Sequence, residues 1–167
     1  MSRRAPDPLR DPQALIERVY SYVASRIGGG QDAEDVTSAV FERAVRYRST
    51  YDADKGSPTT WVLGIARREV ADHLGRELPD PTAPDESEAD PARGTEDTVI
   101  SRLTLDEALA RLSERDSELL SLRYDADLKA REIAQILDVD THAVEVALPR
   151  ALERLRRLLD ENSSGSL

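Results

Sequence analysis

The sequence predicts an all-α protein made of two small helical units. Apolar residues recur at three- and four-residue spacing along most of the chain. Proline, glycine and short capping side chains fall where those runs begin and end. No stretch alternates apolar and polar residues as a half-buried strand would.

The first helix is expected to open at Asp11-Pro12, with a side-chain cap followed by a proline at the first helical position. Leu15, Val19, Tyr22, Val23 and Ile27 continue it on one face, and Gly28-Gly29-Gly30 ends it. A second helix opens near Asp32, its early acids favouring the N-terminal dipole, and runs through Val36, Val40, Phe41 and Val45. Ser57-Pro58 starts a third, lined by Trp61, Val62, Ile65, Val70 and Leu74. Further on, Leu103, Leu105, Leu109 and Leu112 mark another helix. Ser113 to Asp116 resembles a capping box, with Asp standing in for Glu, and opens a helix through Leu119, Leu120 and Leu122. A short helix over about 129–137, a tight turn at Asp138-Val139-Asp140 and a long last helix complete the chain. Val144, Leu148, Ala151, Leu155 and Leu158 share one face of that last helix. Short helix, tight turn and longer helix is the helix-turn-helix layout.

Between these blocks, residues 77–98 hold four prolines, eight acids and one arginine. Such a composition cannot bury a core and is expected to form a disordered, self-repelling linker. The chain thus divides into a helical unit over 10–76, a linker over 77–98 and a second helical unit over 99–160. The formal net charge of -10 weighs against a simple nucleic-acid binder. Most of the excess sits in the linker, however: the block before it has net charge +1 and the block after it -4.

There is no cysteine, which excludes disulfides, thiol catalysis and Cys-ligated metal, and the two histidines, His73 and His142, lie far apart. Neither a metal site nor a cofactor is expected. The triple glycine follows a helix rather than a strand, so it is a helix stop and not a nucleotide fingerprint. Nothing else resembles a catalytic signature, and an enzyme is not expected. The N-terminus lacks the apolar stretch of a signal peptide, and no apolar run is long enough to span a bilayer. The expected location is the cytoplasm, without membrane contact.

Six stretches, in order, resemble the extracytoplasmic-function (ECF) group of bacterial sigma factors, which join sigma region two to sigma region four through a linker. They are Asp32-Ala33-Glu34-Asp35-Val36 with Phe41 and Arg43-Ala44; Trp61 to Arg67; Asp72-His73-Leu74; Leu112 to Arg115; Leu122-Arg123-Tyr124; and Glu132 to Leu137. The resemblance covers about residues 12–159. It implies a role in transcription initiation, with core RNA polymerase and promoter DNA as partners. Asp32, Glu34, Asp35, Phe41 and Arg43 would dock on the polymerase clamp helices. Arg67, Arg68, His73 and Arg76 would contact phosphates and bases of the upstream promoter element, with Tyr51 and Trp61 near the opened strand. For Trp61, core packing is the favoured alternative. The linker would run toward the polymerase active centre, or serve only as a tether.

The last unit departs from the family pattern. Where the recognition helix usually carries Thr, Lys, Ser, Arg and His, this chain has Ala143, Glu145, Val146, Ala147 and Pro149. Glu145 repels phosphate, and Ala and Val cannot hydrogen-bond to base edges. Pro149, nine residues after the expected N-cap Asp140, is expected to kink or break the helix near Leu148, at about 3 kcal/mol in an unadapted helix. The candidate surface for DNA or a partner comprises Lys129, Arg131, Thr141, His142, Glu145, Val146, Pro149 and Arg150. The exposed face of the last helix, with His142, Ala143, Glu145, Val146 and Pro149, is small, apolar and acidic and suits a protein, such as an anti-sigma factor, better than DNA. Two functions follow: a divergent ECF sigma factor with an atypical or partner-assisted region four, or a sigma-shaped decoy or adaptor without ordinary promoter recognition.

Overall fold

The computed structural model describes residues 6–75 and 100–164, with side chains in the second stretch from residue 104. The expected linker and Arg76 lie outside the described residues, and so does the side chain of Leu103. Within them the elements are α1 (Pro12–Ile27), α2 (Gln31–Arg46), a 3-10 turn (Arg48–Thr50), α3 (Pro58–Leu74), α4 (Ile100–Arg111), α5 (Glu114–Leu120), a π turn (Ser121–Asp125), α6 (Ala130–Leu137) and α7 (Thr141–Ser164). No strand occurs among the described residues.

The first three helices bury one face each. Leu15, Val19, Tyr22 and Val23 of α1 meet Val36, Val40 and Ala44 of α2 and Val62, Leu63, Ala66 and Val70 of α3. Fully burying one such large side chain stabilises the fold by about 1.5–3 kcal/mol. Val45, expected on the inner face of α2, is exposed. Asp11 makes no side-chain cap, so the start of α1 rests on Pro12. Ser57 does cap α3, accepting from the Thr60 N–H at 3.2 Å. Gly28 leaves α1 at φ +90°, a conformation that L side chains seldom adopt.

In the second stretch α4 and α5 pack on α7. Leu112, Leu120 and Ala151 form a small core with Leu109, Leu148, Leu152, Leu155 and Leu158, whereas Leu105 faces solvent. Ser113 accepts from the Asp116 N–H at 3.2 Å, half of the expected capping box. The Asp116 carboxylate instead takes both oxygens to Arg154 Nη1, at 2.9 and 2.7 Å. After Leu120 the chain winds wider: Ala126 N–H donates to the Ser121 carbonyl at 3.0 Å, five residues back. Arg123 folds over this turn and donates to the Leu128 carbonyl at 2.8 Å.

The helix-turn-helix follows. Lys129 N–H donates to the Glu132 carboxylate at 2.8 Å and closes the start of α6. Asp138 takes a left-handed conformation (φ +55°), which turns the chain into α7. Ile133, Ala134 and Leu137 pack with Val144 across that turn. The expected break at Pro149 does not occur, because α7 runs unbroken for 24 residues. Pro149 and Glu145, whose carbonyl loses its helical donor, are both exposed, so water can satisfy that carbonyl. Val144 before the proline and Ala151 after it are both buried, and this packing holds the helix on each side.

The two helical units share a core. Tyr22 and Leu63 belong to the same apolar cluster as Leu119, Leu122, Leu128 and Ile133. α1 lies against the π turn, and α3 lies against α6.

Pro149→Ala is expected to stabilise the chain by about 1–3 kcal/mol, since the proline breaks no turn that the fold needs; urea unfolding would show a raised midpoint. Arg154→Ala leaves the buried Asp116 carboxylate without its partner. Its expected cost is about 3 kcal/mol in the same experiment.

Candidate functional site

Three surfaces gather the residues singled out from sequence. At the start of α2, Asp32, Glu34 and Asp35 are all exposed on the first two turns, where the dipole favours them. Gln31 Nε2 donates to Asp35 Oδ1 at 2.8 Å and steadies that carboxylate. Phe41 is half-buried and packs against the core. Arg43 pairs with Glu69 of α3, Nε to Oε1 at 3.0 Å. The exposed start of α2 is therefore acidic, while the exposed Arg43 further along is paired with Glu69.

A second surface is a cleft of about 740 Å³ walled by Arg43, Tyr47, Lys55, Trp61 and Arg68 on one side and by Gln135 to Asp138 on the other. Trp61 is half-buried and lines the cleft while packing on the core. Tyr51 is buried beneath it, ring centroids 5.5 Å apart and tilted by 58°, and its hydroxyl donates to the Gly56 carbonyl at 3.0 Å. Tyr51 thus packs on Trp61, with its hydroxyl tied to the Gly56 carbonyl. Arg68 and His73 are exposed.

Arg67 differs from its neighbour. Its side chain is 11% exposed and its Nε meets Oε1 of Glu118, itself 5% exposed, at 2.5 Å. Arg26 reaches Glu114 at 2.6 Å, and Ser25 donates to the Ser121 hydroxyl at 2.9 Å. Tyr22 lies under these pairs, and burial, aided by the Glu118 carboxylate, pushes its phenol well above the ordinary range. Sequence reasoning singled out Arg67 but none of its partners. The available cue was the place of Glu118, four residues before Leu122, which aligns a carboxylate with the apolar stripe of its helix.

The third surface is the outer face of α7. His142, Glu145, Val146, Pro149 and Arg150 are exposed there, with Thr141 half-exposed at its start. His142 Nδ1 and Glu145 Oε2 lie 3.9 Å apart. Lys129 and Arg131, at the start of α6, are exposed too. No group of His, Asp or Glu among the described residues is arranged to hold a metal ion. No described helix is long and apolar enough to cross a membrane.

Comparison with known proteins is consistent across both units. The family profile Sigma-70 region 2 matches residues 13–77, and Sigma-70, region 4 matches residues 102–155. The ECF RNA polymerase sigma factor BldN of Streptomyces coelicolor is 32% identical over 155 residues. The match takes in 88% of this chain and 58% of BldN, so the chain spans little more than half of that relative's length. The ECF RNA polymerase sigma factor SigF of Caulobacter vibrioides is 32% identical over 154 residues, 89% of this chain and 86% of SigF. Among solved structures, the sigma factor RpoE of Bartonella quintana, in complex with the anti-sigma factor NepR, superposes with a TM-score of 0.67. The superposition covers 90% of this chain and 95% of RpoE at 17% identity, a likeness of fold. Two sigma regions in order, and a relative matched over most of both chains, give the same answer: the chain belongs to the ECF RNA polymerase sigma factors.

Proposed function

We propose that the chain binds core RNA polymerase in the cytoplasm through the exposed acids of α2, and directs it to promoters through α3. It does so without catalysis of its own. The observation that carries this reading is the order of the two sigma regions on one chain, with Asp32, Glu34 and Asp35 presented together on the outer face of the first. Arg68 and His73 are the exposed α3 groups offered to the promoter, beside Trp61 in the cleft. The helical unit over 10–76 would act on polymerase and upstream DNA, and the unit over 99–160 would act as the second module.

A second reading, a sigma-shaped decoy or adaptor, is favoured by the outer face of α7. A recognition helix that offers Glu145, Val146 and Pro149 has little with which to read base edges. Such a face fits a protein partner, such as an anti-sigma factor, better than DNA. In the sigma reading this helix either recognises an unusual element or is steadied by a partner.

Co-elution of the full chain with core polymerase on a sizing column is the expected result. Asp35→Arg, an exposed position, should abolish it without loss of helicity; a well-folded wild-type protein that fails to co-elute would leave the decoy. For α7, Glu145→Lys is expected to add about one phosphate contact. It should steepen the salt dependence of duplex binding by about 0.9 in log–log slope. An unchanged slope would show that this face does not meet DNA.

A further inference from the structure

The chain has one tryptophan, five tyrosines and one phenylalanine, and three of these rings gather at the cleft of about 740 Å³. Tyr47 and Trp61 line it, and Tyr51 backs it with its ring tilted against the indole. Tyr47 is 49% exposed and Trp61 is half-buried, so both offer ring surface to an occupant. Lys55 and Arg68 line the same wall, both are exposed, and neither is held in an ion pair among the described residues. Their neighbours Arg43 and Arg67 are engaged by Glu69 and Glu118. Asp52, the acid on that wall, accepts from the Asp54 N–H at 3.0 Å. The opposite wall presents the exposed amide of Gln135 and the exposed carboxylate of Asp138. The two walls come close at Gly56, where an added methyl group would lie 3.4 Å from Gln135 Oε1. That approach favours an occupant which ends inside the cleft over a strand that passes through it.

We propose that this cleft is a binding site for a free purine nucleotide, with guanosine diphosphate preferred over its adenine counterpart. A volume of this order is that of a small-molecule site. The base stacks on Trp61 and Tyr47, and the phosphates meet Lys55 and Arg68, whose guanidinium fork matches phosphate oxygens. Stacking does not choose among bases, because every base has a π-face. The choice comes from Asp138 on the facing wall. A carboxylate only accepts hydrogen bonds. Guanine offers it two adjacent donors, the ring N–H and the exocyclic amine, whereas adenine sets a ring acceptor beside its amine and repels it. The site goes beyond the sigma reading, since it takes a small ligand and needs no polymerase. Trp61 and Arg68 serve in both, so a promoter strand is the competing occupant that the experiment must separate.

Trp61 is the sole tryptophan, so its fluorescence reports on the cleft alone. The full chain is titrated with guanosine diphosphate, adenosine diphosphate and a thymine-rich single-stranded oligonucleotide. Guanosine diphosphate is expected to quench the indole saturably, and adenosine diphosphate to bind about tenfold more weakly. Arg68→Ala is expected to weaken both by about tenfold, through loss of a charged phosphate contact. Asp138→Asn keeps the fold, because Asn tolerates the φ of +55° at that position, and is expected to erase the preference for guanine. Arg46→Ala, which removes an exposed cation of α2 outside the cleft, is expected to change neither affinity. Absence of saturable quenching by guanosine diphosphate overturns the proposal, and so does a guanine preference that survives Asp138→Asn or an affinity that Arg68→Ala leaves unchanged. Quenching by the oligonucleotide with none by either nucleotide also overturns it, and leaves the cleft to promoter DNA. Co-elution with core polymerase bears on the sigma reading alone, so either can fail without the other.

Discussion

A three-helix unit of some seventy residues buries a smaller fraction of its surface than a larger domain does, so added apolar cover counts for much of its stability. Here Tyr22 and Leu63 of the first unit share one apolar cluster with Leu119, Leu122, Leu128 and Ile133 of the second. Everything at the seam follows from that shared apolar patch. Once the helices are brought together, the side chains at its edge lose water and must find partners. Arg67 and Arg26 do so in Glu118 and Glu114.

The same packing explains which parts of the fold were legible in the sequence. Helix starts marked by Ser57-Pro58 and Ser113, and faces marked by Val19, Val62 and Leu155, depend on neighbours within a few residues, and those are visible in one dimension. The π turn is not, because its extra residue is accommodated by Leu122 and Leu128 rather than by any local signal. Pro149 misled for the converse reason. Its local cost is genuine, but Val144 before it and Ala151 after it are buried in clusters with other helices, and α7 runs on through it without a break. Asp11, a good capping residue by type, makes no cap.

The candidate surfaces divide the same way. Exposed acids at the start of α2 and the polar-poor face of α7 are properties of single helices, so the sequence exposes them. The burial of Arg67 and Tyr51 is a property of the assembled molecule. An arginine beside another arginine looks like one basic patch, yet Arg68 faces solvent while Arg67 is turned into a pair with a residue fifty-one positions away. Side-chain type and spacing define what α3 can offer; tertiary packing decides what it does offer.

The shared core also has a consequence for how the chain is made. Synthesis completes α1 to α3 well before any residue of α5 or α6 leaves the ribosome, since all of residues 75–113 come between them. During that interval Tyr22 and Leu63 lack the neighbours that Leu119, Leu122, Leu128 and Ile133 supply in the finished fold. The nascent first unit is therefore an apolar surface waiting for its own C-terminal half, and a natural client for whatever chaperone meets it first.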